Sequence, residues 1–298
     1  MKVVVTGAAG FVGSQVGRVA IERGHDVVGV DRRKSDGSLP FSIETADITD
    51  RNRMIDVVGD SNAVIHCAAL VGPAPATADP AAATEINVLG ALAMLEAARR
   101  NNCRIVNLST ATLYGRRSDA APLAETDPAD PVGIYDATKF MSETLCDSYR
   151  KSFGVDVSSF RTGFVYGRRH STGDYFIGRM LSGVTRIREP GRDHPCDFTY
   201  VKDLALGLVQ AAEAPELPEP VYNVTGGVAR TRGELAGIVS QYFPKADIEL
   251  KPGVDPARHL RGPCILDRAR RDFGYAPAFN LEAGVADWIA AEQQADPL

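Results

Sequence analysis

The chain opens MKVVVTGAAGFVGSQVG (Met1–Gly17), a short strand-like run that passes through three glycines spaced three apart into a helical pattern. Lys2–Thr6 (KVVVT) reads as a buried parallel strand and Gly10–Arg23 as the helix that follows it. Gly7 permits a tight turn, Gly10 lets backbone approach a pyrophosphate, and Gly13 allows the helix to pack close on the strand. The helix start then presents unpaired N–H groups and partial positive charge to phosphates. Glycines also serve plain turns, so the pattern needs context. Asp31 supplies it. This carboxylate ends the second strand, DVVGVD (Asp26–Asp31), where it can accept hydrogen bonds from an adenosine ribose. A carboxylate there repels a 2′-phosphate, which favours NAD over NADP. Arg32 and Arg33 pull the other way, since an arginine can pair with that phosphate.

The rest of the chain alternates in the same manner. Strands fit FSIETA near Phe41, AVIHCA near Ala63, CRIVNLST near Cys103 and VDVSSFR near Val155. Helices fit Pro80–Asn101, Tyr135–Phe153 and Lys202–Ala212. Strands alternating with helices imply an α/β fold, a doubly wound parallel sheet covered on both faces, with right-handed crossovers. After Arg161 the pattern is less regular. We expect a Rossmann domain from residues 1–165 plus about 197–225, and a smaller interleaved substrate lobe from about 166–196 plus 226–298.

Composition narrows the function classes. A net charge of −5 over 298 residues gives no basic surface for nucleic acid or anionic membrane. The five cysteines are odd in number and scattered without CxxC spacing, which suits reduced thiols of a cytoplasmic protein and gives no disulfide framework or metal site. The start of the chain lacks a basic segment followed by an apolar one, so no export signal is expected. The apolar run Ala63–Leu70 is too short to span a bilayer.

Tyr135-Asp-Ala-Thr-Lys139 carries chemistry. Of nine tyrosines only this one has a lysine four residues on, where both share a helix face. An ammonium close to a phenol lowers its pKa from about 10, and such a phenol can exchange a proton with a substrate hydroxyl or ketone. The segment NLSTATLYG follows a strand and supplies Ser109, Thr110 and Thr112 at the edge where ligands of parallel sheets bind. Taken singly, the first motif also fits a surface pair and the second a polar turn.

Together these features resemble the extended short-chain dehydrogenase/reductase family, the NAD-dependent epimerase/dehydratase group typified by UDP-galactose 4-epimerase. The resemblance runs over nearly the whole chain. It includes TGAAGFVGS with Phe11 and Val12, Asp47-Ile48, His66-Cys67-Ala68-Ala69, Asn87-Val88-Leu89-Gly90, Ser109–Gly115, and later DFTYVKD and VYNVTGG. It implies that Tyr135 transfers the proton, that Lys139 tunes it and holds the nicotinamide ribose, and that Thr110 hydrogen-bonds the substrate oxygen. It further implies cofactor contacts from Gly7, Gly10, Phe11, Val12, Gly13, Asp31, Arg32, Asp47, Ile48, Cys67, Ala68, Ala69, Asn87 and Leu108, besides Tyr135 and Lys139. Family members often dimerise through two helices, here Pro80–Asn101 and Tyr135–Phe153.

Three departures bear on the substrate. The Asp-Glu pair that dehydratases place after the catalytic threonine is Ala111-Thr112, which argues against dehydration. In the R-x-x-N-V-Y-G element Phe164 replaces asparagine, and the arginine before DFTYV is Cys196. Both missing groups usually contact a sugar nucleotide's phosphates. Arg169, Arg192 and Arg258 are candidate replacements, with Thr112 and Phe164 as further substrate contacts. The implied function is an NAD-dependent nucleotide-sugar 4-epimerase or 4-ketoreductase. A dehydrogenase of a non-nucleotide sugar acid or polyol is the alternative, and a non-catalytic dinucleotide sensor is a third reading on the same fold.

Overall fold

The computed structural model of the chain describes residues 1–34, 37–168 and 176–293. Strands β1 (Lys2–Thr6), β2 (Asp26–Asp31), β3 (Ser42–Thr45), β4 (Ala63–His66), β5 (Arg104–Thr110) and β6 (Val157–Thr162) lie side by side in the order 3-2-1-4-5-6, and Val221–Asn223 adds a seventh strand beyond β6. Every pairing in this sheet is parallel. The expected doubly wound α/β architecture is present.

The strands are apolar on both faces because helices cover both. Val3 and Val5 pack with Val16 and Ala20 of helix α1 (Phe11–Glu22), and with Leu204 and Leu208 of the helix Val201–Glu213. Val4, one residue out of phase, points to the other face. There it meets Met54 of α2 (Arg51–Val58) and, beyond the short helices α3 (Pro73–Ala78) and α4 (Pro80–Thr84), Met94 and Leu95 of α5 (Gly90–Asn101). Helix α6 (Ile134–Phe153) lies on this face as well, through Cys146.

The sequence reads Pro80–Asn101 as one helix. The structure breaks it with a π-helical turn, Glu85–Leu89, between α4 and α5. Such a turn admits one extra residue and re-aims a side chain. Here it turns Asn87 inward, where it is 2% exposed and its amide bonds the Leu70 backbone on both sides and the Thr138 hydroxyl of α6.

A second apolar cluster gathers Tyr166, Phe176, Ile187, Phe198, Leu235, Val239, Val285 and Trp288. Three two-stranded pairings surround it: Arg186–Glu189 with Asp247–Leu250, Pro195–Asp197 with Ala229–Thr231, and Val165–Tyr166 with Thr199–Tyr200. Phe11 and Val12, at the start of α1, pack against this cluster, so the glycine loop sits where the two apolar units meet. The sequence assigns all of 226–298 to the smaller lobe, yet Cys264, Leu266, Ala269 and Tyr275 pack in the cluster beneath the main sheet.

One buried ion pair joins α6 to β6. The Arg161 Nε and Nη2 donate to the Glu143 carboxylate at 3.1 and 2.8 Å, and both side chains are 5% exposed. The guanidinium also lies over the Tyr114 ring, 4.8 Å from its centre. Removing one partner strands a buried charge. Glu143→Ala should therefore lower the urea unfolding free energy by about 3–5 kcal/mol. Glu143→Leu combined with Arg161→Met should recover most of that loss. A loss below about 1 kcal/mol in the single variant would rank this pair with exposed ones.

Candidate active site

The C-terminal edge of the sheet collects the motifs. Gly7 ends β1 with φ +66, in the left-handed region. A β-carbon on it would lie 2.9 Å from the Ala68 backbone, so the loops after β1 and β4 touch backbone to backbone. A β-carbon on Gly13 would overlap the Gly7 carbonyl oxygen. The Gly10 N–H donates to that same oxygen at 2.8 Å, closing the turn. Gly10 is the N-cap of α1, and no described side chain caps this end. The loop is thus a cradle with backbone N–H groups and positive dipole at its floor, which fits the pyrophosphate of a dinucleotide.

Asp31 closes the cradle from β2. Its carboxylate accepts the Ala9 N–H at 3.0 Å, the Arg33 N–H at 2.9 Å and the Arg33 Nε at 3.3 Å. Arg33 is therefore its partner. The Arg33 Nη2 reaches to 3.7 Å from the β-carbon position of Gly10. Arg32 instead acts on Asp47, whose carboxyl is held below its usual range chiefly by the Thr49 backbone N–H and hydroxyl. Ile48 is buried against Gly90, where a β-carbon would come within 2.5 Å of it.

From β4, the His66 Nδ1 shares a 2.7 Å hydrogen bond with the Thr6 hydroxyl, which also accepts the Ala68 N–H. Burial, with a smaller effect from Lys139, pushes the imidazole down to about 3, so the ring is neutral. Burial raises the Cys67 thiol to about 12 against the opposing pull of Lys139. Ala68 and Ala69 line the same half-buried turn. The charge of Lys139 is therefore felt at the segment that touches Gly7, which ties α6 to the glycine loop.

Lys139 is buried, and its ammonium donates to the Leu108 carbonyl of β5 at 2.6 Å. Burial holds it below the usual lysine value, opposed by Cys146, Glu143 and Cys67. Tyr135 lies one turn before it. The sequence reading has Lys139 lowering the phenol. The structure reverses the sign in the free protein: burial first and the neighbouring Asp136 second push Tyr135 up to about 12, with only the Thr110 hydroxyl opposing. The reason is geometric. Lys139 directs an N–H to the sheet edge, while Asp136 is the charge that acts on the phenol.

Thr110 is 5% exposed and caps the 3-10 turn Ala111–Tyr114. Its hydroxyl lies 2.9 Å from that of Thr112, which donates to Asp136 at 2.6 Å. Phe164 stands where the pattern has asparagine, at φ +46. Asparagine tolerates this left-handed backbone, whereas a bulky residue is strained there by about 1–2 kcal/mol. The Thr199 N–H bound to its carbonyl and the Phe198 ring 6.1 Å away hold it.

Of the arginines expected at the substrate, Arg169 lies outside the described residues. Arg192 is exposed and paired with Asp193, and the cations felt at Cys196 are Arg258, Arg232 and Arg261 instead. Arg258 pairs with Asp255 at 3.1 Å. The residue that sequence reasoning missed is Arg261. It is half-buried, makes no ion pair among the described residues, and its one hydrogen bond among them runs to the Thr112 carbonyl at 3.4 Å. Burial lowers it from the usual arginine value, with Asp136 the leading opposing charge. PARHLRGP offers two arginines three apart, and nothing local distinguishes them.

Residues 3–225 match the NAD dependent epimerase/dehydratase family. UDP-glucuronic acid decarboxylase 1 of Arabidopsis thaliana is 30% identical over 310 residues, covering 97% of this chain and 69% of that protein. UDP-glucose 4-epimerase of Mycolicibacterium smegmatis is 30% identical over 315 residues, covering 97% of each. The crystal structure of Thermus thermophilus UDP-glucose 4-epimerase in complex with NAD matches with a TM-score of 0.85 at 26% identity, covering 99% of this chain and 100% of that one.

The neutral His66 generates a pH dependence. Its folded value, about 3, lies below the unfolded value near 6.5, so its contribution is complete above about 6.5 and is lost as pH falls toward 3. Unfolding free energy measured between pH 6.5 and 4 should fall by up to about 1.4 kcal/mol per unit from this group. His66→Asn should show a shallower slope than wild type. Equal slopes would show that the ring is not buried in its neutral form.

Proposed function

The chain belongs to the NAD-dependent epimerase/dehydratase family, and from that footing we propose that it is a UDP-sugar 4-epimerase or 4-ketoreductase. The observation that carries this reading is the convergence of Thr110, Tyr135 and Lys139 on the strand edge that also bears the glycine cradle. The relatives that act on UDP-glucose and UDP-glucuronic acid support the substrate class. The missing Asp-Glu pair after Thr110 speaks against dehydration.

Gly7, Gly10, Gly13 and the start of α1 hold the pyrophosphate of an NAD-type cofactor. Asp31 holds the adenosine ribose, and its negative charge selects NAD over NADP. Tyr135 and Lys139 hold the nicotinamide ribose. The cofactor supplies a hydride acceptor and donor. Tyr135 takes the proton of the substrate hydroxyl and returns it, and Thr110 fixes the position of the reacting oxygen. Arg261 meets the substrate's diphosphate. Its charge is felt at Cys196, where the family pattern has the missing arginine, together with those of Arg258 and Arg232, and a half-buried cation without an ion pair among the described residues gains most from an anion. With all five cysteines free, a reducing cytoplasm is the proposed location.

We also propose a homodimer. Leu89 is 50% exposed, Met141 50%, Ile134 39% and Phe140 38%, an apolar surface on the segments expected to pair. Light scattering at micromolar concentration should give twice the chain mass, and Met141→Asp should halve it. A monomeric wild type would overturn this.

A panel of nucleotide sugars and free sugar acids, followed by NADH absorbance and product stereochemistry, tests the activity. Tyr135→Phe should cut kcat by about 10²–10⁴-fold. Arg261→Met should raise KM for UDP-sugars about ten-fold or more, with kcat near wild type. Turnover of free sugar acids that matches that of UDP-sugars, unaffected by Arg261→Met, would favour the dehydrogenase of a non-nucleotide sugar.

A further inference from the structure

His194 stands two residues before Cys196, at the entry to the strand Pro195–Asp197. Its backbone is fully used: the N–H donates to the Gly191 carbonyl at 3.2 Å, and the carbonyl accepts the Arg232 N–H at 3.1 Å. Its imidazole is not. The residue is 1% exposed, and neither ring nitrogen has a hydrogen-bond partner among the described residues. A neutral ring carries one donor and one acceptor, and stranding both away from water is unfavourable unless a ligand completes them. The charged groups that face the ring are Arg258, Arg261 and Asp255, on one segment, and Arg232, on the helix Arg232–Tyr242. Asp255 is shared between Arg258 at 3.1 Å and Arg232 at 3.6 Å. Arg192 and Asp193, next to His194 in the chain, pair with each other. Three cations against one carboxylate make the surroundings of the ring a place for an anion.

We propose that His194 is a ligand of the anion these arginines gather: it takes a proton from solvent as a UDP-sugar binds and donates an N–H to a phosphate oxygen. This rests on the reading above, in which Arg261 meets the substrate's diphosphate. Burial first, and Arg258 second, hold the imidazole below its ordinary value, with Asp255 opposing and Arg232 and Arg261 adding to the effect. A diphosphate among the arginines offsets the cations and gives the ring an acceptor, so the proton is no longer kept off. The diphosphate of a UDP-sugar is a diester with no proton of its own to give near neutral pH, so binding draws one from solvent. A neutral group such as a base edge gains nothing from the three cations. His259, the other histidine near Arg261, already holds a partner: its Nε2 accepts the Arg116 Nε at 3.2 Å, and a proton there would break that bond. His194 has no such bond to lose.

The test is calorimetric titration of the NAD-loaded Tyr135→Phe variant, in which turnover is suppressed, with UDP-glucose at neutral pH in buffers of different ionisation enthalpy. The dependence of the heat on the buffer should show net proton uptake on binding. Because binding takes up at most one proton, Kd should rise with pH above neutral, by up to about ten-fold per unit. Adding His194→Gln, which keeps a donor but does not titrate, should abolish the uptake and flatten the pH dependence. Adding His194→Phe should weaken UDP-glucose about ten-fold or more, the loss of a charge-assisted hydrogen bond, and leave the binding of uridine unchanged. Uptake that persists in His194→Gln would overturn the inference. So would its absence in the parent, where UDP-glucose binds and Arg261→Met weakens it; the proposed activity would then stand. An equal loss of uridine and UDP-glucose in His194→Phe would also overturn it, by placing the ring at the base. UDP-glucose binding that Arg261→Met leaves unchanged would instead remove the underlying reading, and the inference with it.

Discussion

The site depends on a contact that a single β-carbon would forbid, the approach of Gly7 to the Ala68 backbone. Parallel strands deliver their loops to one edge, but they do not by themselves press two loops together. The missing side chain does that, and the Thr6 hydroxyl locks it by bonding both His66 and Ala68. From Ala68 the constraint passes along the chain to Leu70, whose backbone is gripped by Asn87. Asn87 in turn bonds Thr138, on the helix that carries Tyr135 and Lys139. The π turn is what lets one residue serve both ends. This chain of backbone and amide contacts, beside the Lys139 and Glu143 contacts of the same helix, sets the depth of the phenol relative to the cradle.

Charge acts on a separate level. In the free protein the Lys139 and Arg261 cations are both held below their ordinary values by burial, and the Tyr135 phenol is held above its own. Each departure marks a group that has lost water without gaining an equal partner. A site in this condition gains from ligands that bring the missing charge: an anion at Arg261, and a positive centre near the phenol. The Tyr-x-x-x-Lys spacing is readable as a tuned pair, but the tuning is not complete in the protein alone, because Lys139 is anchored to Leu108.

Much of this was legible in the residues. Buried parallel strands are apolar on both faces, so β1 and β2 stand out with their ends intact, and the glycine spacing and Tyr135-Lys139 follow from local geometry. Features that depend on distant partners were not legible. The break at Glu85–Leu89 exists because of Leu70 and Thr138, and AAATEINVLGALAML reads as unbroken helix without them. The helix Arg232–Tyr242 carries a capping box from Thr231 and Glu234, a signal that was present and passed over in an irregular stretch. Asp136 looks like an ordinary first-turn carboxylate until Thr112 is seen against it.

The arginines show the limit most sharply. A cation is required at a point in space, and the chain meets that requirement from whichever segment passes nearby. Cys196 occupies the usual position in the sequence. Asp197, next to it, is buried and accepts hydrogen bonds from Thr225, Gly227 and Cys264, which draws the segment 261–264 across the strand. Burial raises its carboxyl to about 6, against the opposing pull of the Thr225 hydroxyl and the Cys264 and Gly227 N–H groups that donate to it. With that fastening the charge of Arg261 is felt at Cys196, while Arg258 stays paired with Asp255 and Arg192 with Asp193. On the proposed reading, the charge lost from one strand is restored from another part of the chain. The residue to follow is then Asp197, which together with the Leu123 backbone, bonded to Pro263 and Ile265, fixes the segment that carries the replacing arginine.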